Sequence, residues 1–251
     1  MARPSAVRHD GPVAATARIV QITDTHFSAA AGVPPQWPAT VAWLRVDPPD
    51  LVVHTGDVVL EDPDDDADWE LAVQLLADVP EPRRSIPGNH DIGFYGEEHD
   101  RGRRLDAFRR RLGDDRFTCD LAGWRIVGCD AYLLGQADHD DWLRAVTSVV
   151  APVLVFVHQP VEGDEPDGWE MPAAARHAFS AALAGADVRV VASGHRHCGG
   201  QLGRAVWAPS LTLIGEGAGP GFDPRRGIVE HVVSTDGQHR WRVVRPSDHA
   251  D

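Results

Sequence analysis

Apolar and polar positions along the chain follow two periods. "ARIVQITDTHF" (17–27), "DLVVHTGDVV" (50–59), "VLVFVHQP" (153–160) and "VRVVASGHRH" (188–197) are short β-branched runs that end in polar groups. Continuous apolar runs of this length, closed by polar or turn residues, predict strands buried on both faces. Between them the period lengthens. "DADWELAVQLLADV" (66–79) sets Trp69, Val73 and Leu76 on one helical face, with acids in the first turn where the helix dipole favours them. "MPAAARHAFSAALAGA" (171–186) is alanine-rich and predicts a helix ending near Gly185. Two antiparallel pairs complete the pattern. "RFTCDLAGWRIVGCDA" (116–131) reads as two strands turned at Ala122-Gly123, and "GIVEHVVSTDGQHRWRVV" (227–244) as a hairpin around Asp236-Gly237. Alternating strands and helices predict layered α/β packing.

No internal repeat or long linker divides the 251 residues, so the expectation is one domain over 17–246, with a loose leader at 1–16 and a tail at 247–251. The leader carries Arg3, Arg8 and Asp10 and no apolar segment of the kind a secretory signal needs. The longest apolar run, "VVAPVLVFV" (149–157), is too short to cross a bilayer, so no membrane partner is expected. Hydrophobic content of 43% with 25% charged residues suits a soluble globular chain with a sizeable core. Cys119, Cys129 and Cys198 form neither a disulfide framework nor a zinc-finger spacing, which points to a reducing, cytoplasmic setting. The formal charge of -14 argues against nucleic acid as a general partner. It does not exclude an anionic substrate, because bound cations invert the local field.

The chemistry gathers at the strand ends. The first run finishes in Asp24-Thr25-His26, the second in Gly56-Asp57 and the third apolar approach in Gly88-Asn89-His90-Asp91; His158 and Gly194-His195-Arg196-His197 close the later strands. On an extended segment, Asp24 and His26 would point to one side, able to grip one ion. Ligands in open α/β sheets bind beyond the carboxyl ends of strands. Imidazole and carboxylate together suit Mn, Fe, Zn or Ni better than calcium or magnesium. Asp24, His26, Asp57, Asn89, His158, His195 and His197 are more donors than one tetrahedral ion needs, and two ions sharing a carboxylate would use them economically.

D-x-H (24–26), G-D (56–57), G-N-H-D (88–91), a single His (158) and G-H-x-H (194–197), in this order, resemble the calcineurin-like metallophosphoesterase superfamily over about residues 18–210. The resemblance implies a four-layer α-β-β-α sandwich with a dinuclear metal centre. By matching positions, Asp24, His26 and His197 would hold one metal, Asn89, His158 and His195 the other, and Asp57 would bridge them. His90 would be the imidazole facing the substrate. Two ions roughly 3.5–4 Å apart clamp a phosphoryl group and acidify a bridging water for in-line attack. The implied activity is hydrolysis of a phosphodiester, such as a cyclic nucleotide, or of a small phosphomonoester. A non-catalytic scaffold on the same fold and a nuclease are the alternatives. Purple acid phosphatases would place a tyrosine ligand three residues after the bridging Asp, and here that position is Leu60. The "HQP" (158–160) and "APS" (208–210) segments resemble the class III cyclic-nucleotide phosphodiesterases.

Neighbouring residues get plainer readings. Asp91 is a supporting carboxylate, His54 a buried hydrogen-bonded imidazole and Cys198 a packing thiol. In "RGRRLDAFRRRLG" (101–113), Leu105, Phe108 and Leu112 recur at helical spacing, which predicts a core-facing stripe and a solvated basic face. Arg101, just after the G-N-H-D loop, stays open as an anion contact. The loops at 92–101, 159–172 and 214–222, with Tyr95 and Trp169 among them, are candidates to line a substrate cleft.

Overall fold

Each parallel strand is short and apolar on both sides, so each face needs a cover. The computed structural model describes residues 14–60, 63–162, 169–213, 215 and 221–246; the predicted leader to residue 13, the tail from 247 and much of the 163–168 and 214–220 loops lie outside them. Strand β1 (Thr16–Ile22) leads through helix α1 (Trp37–Val46) to β2 (Leu51–His54), and α2 (Asp66–Leu76) leads to β3 (Arg83–Ser85). After α3 (Asn89–Ile92) and α4 (Glu98–Leu112), the chain forms the β4 (Phe117–Leu121) and β5 (Trp124–Gly128) pair. Then come α5 (Ala137–Thr147), β6 (Val153–Phe156), α6 (Ala173–Ala182) and β7 (Val188–Ser193). The hairpins β8 (Gly200–Leu202) with β9 (Ala205–Trp207) and β10 (Ile228–Ser234) with β11 (His239–Val244) follow.

These strands form two mixed sheets, ordered β11-β10-β1-β2-β3 and β4-β5-β6-β7-β9-β8. In the first, β1, β2 and β3 run parallel, with Ile22, His54 and Ser85 in register at their ends. In the second, β5, β6, β7 and β9 run parallel. Side-chain alternation sorts the core into layers. Ile19, Leu51, Val53, Ile126, Leu154, Phe156, Val190 and Val229 meet between the sheets. Val20, Val52, Val153, Val155 and Val191, on the opposite faces, pack under helices with Trp37, Trp69, Phe108, Leu143 and Phe179. The result is the α-β-β-α layering expected from the resemblance.

Two details differ from the periodic reading. Val73 is exposed, because the face of α2 that packs inward runs through Trp69, Ala72, Leu75 and Leu76. The strands also stop earlier than their apolar runs: β1 ends at Ile22, β2 at His54 and β7 at Ser193. The Ala122-Gly123 turn has both residues at positive φ (45° and 76°), the geometry a right-twisted two-residue hairpin requires.

The layer between the sheets carries a polar thread the hydrophobic pattern did not reveal. Gln21 shares the inward parity of Ile19, and its Nε2 donates to Thr55 Oγ1 (3.0 Å) while its Oε1 lies 3.1 Å from His231 Nε2. His231 Nδ1 in turn lies 3.0 Å from His239 Nε2. Burial pushes His231 well down, helped by His239, and burial lowers His239 to about 4, so both imidazoles are neutral near pH 7.

Candidate metal centre

The parallel strands β1, β2, β3, β6 and β7 all point their carboxyl ends the same way, and the loops leaving them continue the pairing. Asp24 N–H donates to Gly56 O (2.9 Å), His26 N–H to Asp57 O (3.0 Å) and Gly194 N–H to His158 O (2.9 Å). Six of the seven donors therefore lie on loops and Asn89 opens α3; none lies on an extended strand. Asp24 (φ 51°), His26 (45°), Asp57 (54°), His195 (65°) and His197 (54°) all adopt positive φ. Only Ala122 does so among the other described non-glycine residues. Asp24 and His26 thus converge through two left-handed turns rather than through the two-residue repeat of a strand. Left-handed backbone at non-glycine residues costs energy and clusters at functional sites. Here the strain re-aims five side chains to one point.

Two glycines make the close approach possible. A Cβ on Gly88 would sit inside van der Waals contact of Asp57 Oδ1 and N, and one on Gly194 would collide with Thr23 Oγ1 and Asp24 Oδ2. Asp91 then locks two loops together. Its Oδ1 accepts from Val58 N–H (2.9 Å) and Val59 N–H (3.2 Å), and its Oδ2 from Gly88 N–H (2.8 Å). Burial, reinforced by Asp57, pushes its pKa up to about 7 against the pull of these donors. His54 ties the same region from below. Its Nδ1 accepts from Gly56 N–H (3.2 Å) and its Nε2 lies 3.0 Å from Thr25 Oγ1. Neither residue offers an atom to the centre, in keeping with the supporting roles expected for them.

The seven donors form two adjoining groups. His197 Nε2 lies 3.2 Å from Asp24 Oδ1 and 3.3 Å from His26 Nε2. His158 Nε2 lies 3.3 Å from Asp57 Oδ2, 3.1 Å from Asn89 Oδ1 and 3.2 Å from His195 Nδ1. Asp57 Oδ2 reaches across to His26 Nε2 at 3.9 Å, so it stands between the groups. Asp24 Oδ1 is buried, and the groups facing it are imidazole nitrogens, His197 Nε2 and, at 3.8 Å, His26 Nε2. Electron-pair donors this close, several without a proton to share, repel unless a cation lies among them. The set fits transition-metal ions by donor chemistry and by crowding.

The titration behaviour has the same cause. Burial alone would raise Asp24 and Asp57, but His197 holds the first carboxyl, and His158 the second, well below the usual range. Against the penalty of burial, Asp57 raises His158 to about 9, and Asp24 raises His197. Burial lowers His26 to about 4 and His195 to about 3. With side chains alone, a proton on His158 takes the place of positive charge in the cluster. His158 is oriented by its Nδ1–H, which donates to Thr55 O (2.7 Å) and turns Nε2 inward.

A family model described as calcineurin-like phosphoesterase matches residues 17–199. The chain belongs to the calcineurin-like phosphoesterase family. Solved structures share the family fold at low identity. A purple acid phosphatase, PPD1, from yellow lupin superposes with a TM-score of 0.69 at 13% identity, over 94% of this chain and 52% of that one. GAP50, described as the anchor in the inner membrane complex of Plasmodium, gives 0.65 at 12%, over 92% and 85%. A dimetal phosphatase from Danio rerio gives 0.59 at 13%, over 90% and 98%. The chain thus spans about half the length of the lupin enzyme. No curated protein matches it.

Around this candidate centre the structure sorts the remaining residues. His90 stands at its mouth, its N–H donating to Asp57 Oδ1 (2.9 Å) and its ring edge-on to His26 at 4.8 Å. Trp169 packs against His195 and His197, with ring centroids 5.2 and 6.2 Å away. Arg101 is not a free anion contact: it is buried, donates to Phe94 O (2.6 Å) and lies over the Tyr132 ring. Tyr95 also fills space, its hydroxyl donating to Ala131 O (2.8 Å). In α4, Leu105 and Phe108 face the core while Arg103 and Arg104 pair with Asp64 outside. Among the described residues no helix is long and apolar enough to cross a membrane.

Sequence reasoning missed several contacts. Tyr132 Oη–H donates to Asn89 Oδ1 (3.2 Å), Phe94 packs on His90 at 5.6 Å, and Ser210 Oγ–H donates to Asp24 O (2.7 Å). Arg196, between two candidate ligands, pairs with Glu170 and stacks over Trp207. Ser210 carried a signal in the "APS" segment, and Phe94 lies in the 92–101 loop just after His90; Tyr132 with Asn89 and Arg196 with Glu170 join elements far apart in the chain.

Proposed function

We propose that this chain is a dinuclear metal-dependent phosphoesterase that hydrolyses a phosphodiester, such as a cyclic nucleotide, or a small phosphomonoester. The observation that carries the reading is the convergence of seven donor side chains, buried or nearly so, whose facing nitrogen and oxygen atoms crowd into two adjoining groups around Asp57. Asp24, His26 and His197 would hold one ion, and Asn89, His158 and His195 the other, with Asp57 serving both. Bound there, two Mn, Fe, Zn or Ni ions would supply Lewis acidity toward the phosphoryl oxygens and lower the pKa of a bound water.

The chain's own groups do the rest. Asp57 is held by His90 N–H and cannot turn away. The His90 imidazole, edge-on to His26 and partly exposed, is placed to hydrogen-bond an equatorial phosphoryl oxygen or to give a proton to the departing alkoxide. Asn89 keeps its oxygen inward because the Tyr132 hydroxyl donates to it. Trp169 and Phe94 exclude water from two sides. A small-molecule substrate suits an acidic chain better than a nucleic acid does, and the intact donor set disfavours a scaffold without catalysis. Three free cysteines fit a reducing, cytoplasmic location.

The test is to purify the protein, measure its Mn, Fe, Zn and Ni content, and assay aryl phosphate monoesters and diesters. Hydrolysis that chelation abolishes and metal restores is expected. Fully metallated protein that hydrolyses neither class at any pH would refute the reading.

A further inference from the structure

His26 has a second surroundings besides the donor cluster. It also walls a pocket of about 250 Å³ built from the 31–36 loop, Leu60, Leu213 and Arg226. Pockets for a whole drug-sized ligand run to roughly 300–1,000 Å³, so this one takes one part of a molecule. Its walls are mostly apolar, and two of its members, Val33 (49% exposed) and Leu213 (37% exposed), belong to the few large apolar side chains that reach solvent. Exposed apolar groups gathered beside a polar centre mark a binding surface. Leu60, three residues after Asp57, lines the pocket. At the rim, Arg226 is exposed and its guanidinium has no ion pair with any described residue, whereas Arg225 and Arg245 beside it both bind Asp223.

We propose that this pocket receives the leaving-group side of the ester, an alkyl or aryl group of modest size that ends in an anionic substituent facing Arg226. The inference rests on the phosphoesterase reading above and specifies its substrate. The phosphoryl group would sit on the metal donors, His26 being common to both places, and the apolar arm would lie between Val33, Leu60 and Leu213. In the reaction water adds its oxygen to phosphorus, the bond from phosphorus to the ester oxygen breaks, and the departing alkoxide takes a proton to leave as the alcohol. Apolar walls hold the alcohol portion without competing for the metals. The anionic end could be a carboxylate or a second phosphate, since a single exposed arginine serves either.

The experiment compares metal-loaded protein on methyl, propyl and hexyl phosphate, whose leaving groups differ little in basicity, so the series reads binding rather than bond-breaking. kcat/KM should rise about threefold to fourfold per methylene until the pocket is full. Among hexyl esters, those ending in carboxylate or phosphate should exceed the one ending in an amine by up to about fivefold, as for an exposed ion pair. Comparing the two anionic ends shows which is preferred. Val33→Asp should flatten the length series, and Arg226→Glu should reverse the charge preference. Both positions are exposed, so neither change threatens folding.

A readout without turnover is the binding of hexanoate to metal-free protein by ligand-observed NMR, lost in Val33→Asp. Hydrolysis with a flat length series, or hexanoate binding untouched by Val33→Asp, would overturn the pocket assignment and leave the phosphoesterase reading standing. Hydrolysis of no ester at all, with hexanoate still bound, would overturn the reading of the centre instead.

Discussion

Asp91→Ala should cost this protein a large share of its stability, although Asp91 gives no atom to the metal centre. The carboxylate accepts three buried N–H bonds, from Val58, Val59 and Gly88, and so joins the loop carrying Asp57 to the loop carrying Asn89 and His90. An orphaned buried donor costs about 1–3 kcal/mol. Three would sum to roughly 3–9 kcal/mol, but Val58 and Val59 share one oxygen and the loops can relax, so about 4 kcal/mol is expected. Domains of this kind have about 5–15 kcal/mol in all. The assay is urea unfolding of metal-free protein near pH 4, close to the carboxyl's unfolded value of 3.8, where keeping it protonated in the fold costs little and its removal relieves little. With a slope of about 3 kcal/mol per M, the midpoint should fall by more than about 1 M. Asp91→Asn keeps the bulk and an oxygen for Val58 and Val59, while setting its NH2 against Gly88 N–H; it should recover about half of the loss. A midpoint for Asp91→Ala equivalent to less than about 1 kcal/mol, or an Asn variant no better than Ala, would refute the reasoning.

Three further outcomes follow from the site and the sheet interior. Asp57→Asn should abolish activity and lower metal content at both positions, whereas His90→Ala should lower turnover about 10²–10⁴-fold with metal retained; metal analysis that finds the His90→Ala site emptied would make His90 a ligand. Metal binding at pH 7 should release protons, roughly one per chain or more, because His158, raised to about 9, must lose its extra proton to coordinate, and the upward shift of His197 adds to the release. Calorimetry in buffers of different ionisation enthalpy measures this, and no release would contradict the charge pattern. His239 has a folded pKa depressed from 6.5 to about 4, so its contribution is complete above pH 6.5 and is lost as pH falls toward 4. His239→Gln should therefore flatten the decline of the urea midpoint across that window; an unchanged slope would show that the imidazole does not titrate with folding.

The site was legible as a set of residue types and an order. D-x-H, G-D, G-N-H-D, His158 and G-H-x-H each follow an apolar run, and metal-type donors placed repeatedly at such ends are a chemical signal that local sequence can carry. The α/β alternation was legible for the same reason, since strand and helix periods are local. The manner of convergence was not. Asp24 and His26 were expected to align along an extended strand, yet each reaches the centre through a left-handed turn. A positive φ at Asp or His is unfavourable by itself and persists only because neighbouring loops hold it, so no local rule announces it. Arg101 shows the converse: beside the G-N-H-D loop in sequence, it is drawn into contact with Tyr132, a residue of another element.

The sequence by itself determined the layers, through periods of about two and 3.6, and the chemistry of the centre, through its imidazoles, carboxylates and one amide. Those properties belong to single residues and their near neighbours. Tertiary structure decided what depends on distant partners: Tyr132 on Asn89, Asp91 between two loops, the Gln21–His231–His239 thread inside the sandwich, and the apolar pocket that shares His26 with the metal donors. Hydrogen bonds and cavities form between side chains that only the packed sheets bring together, so the centre was readable along the chain while its supports and the pocket beside it were set by the fold.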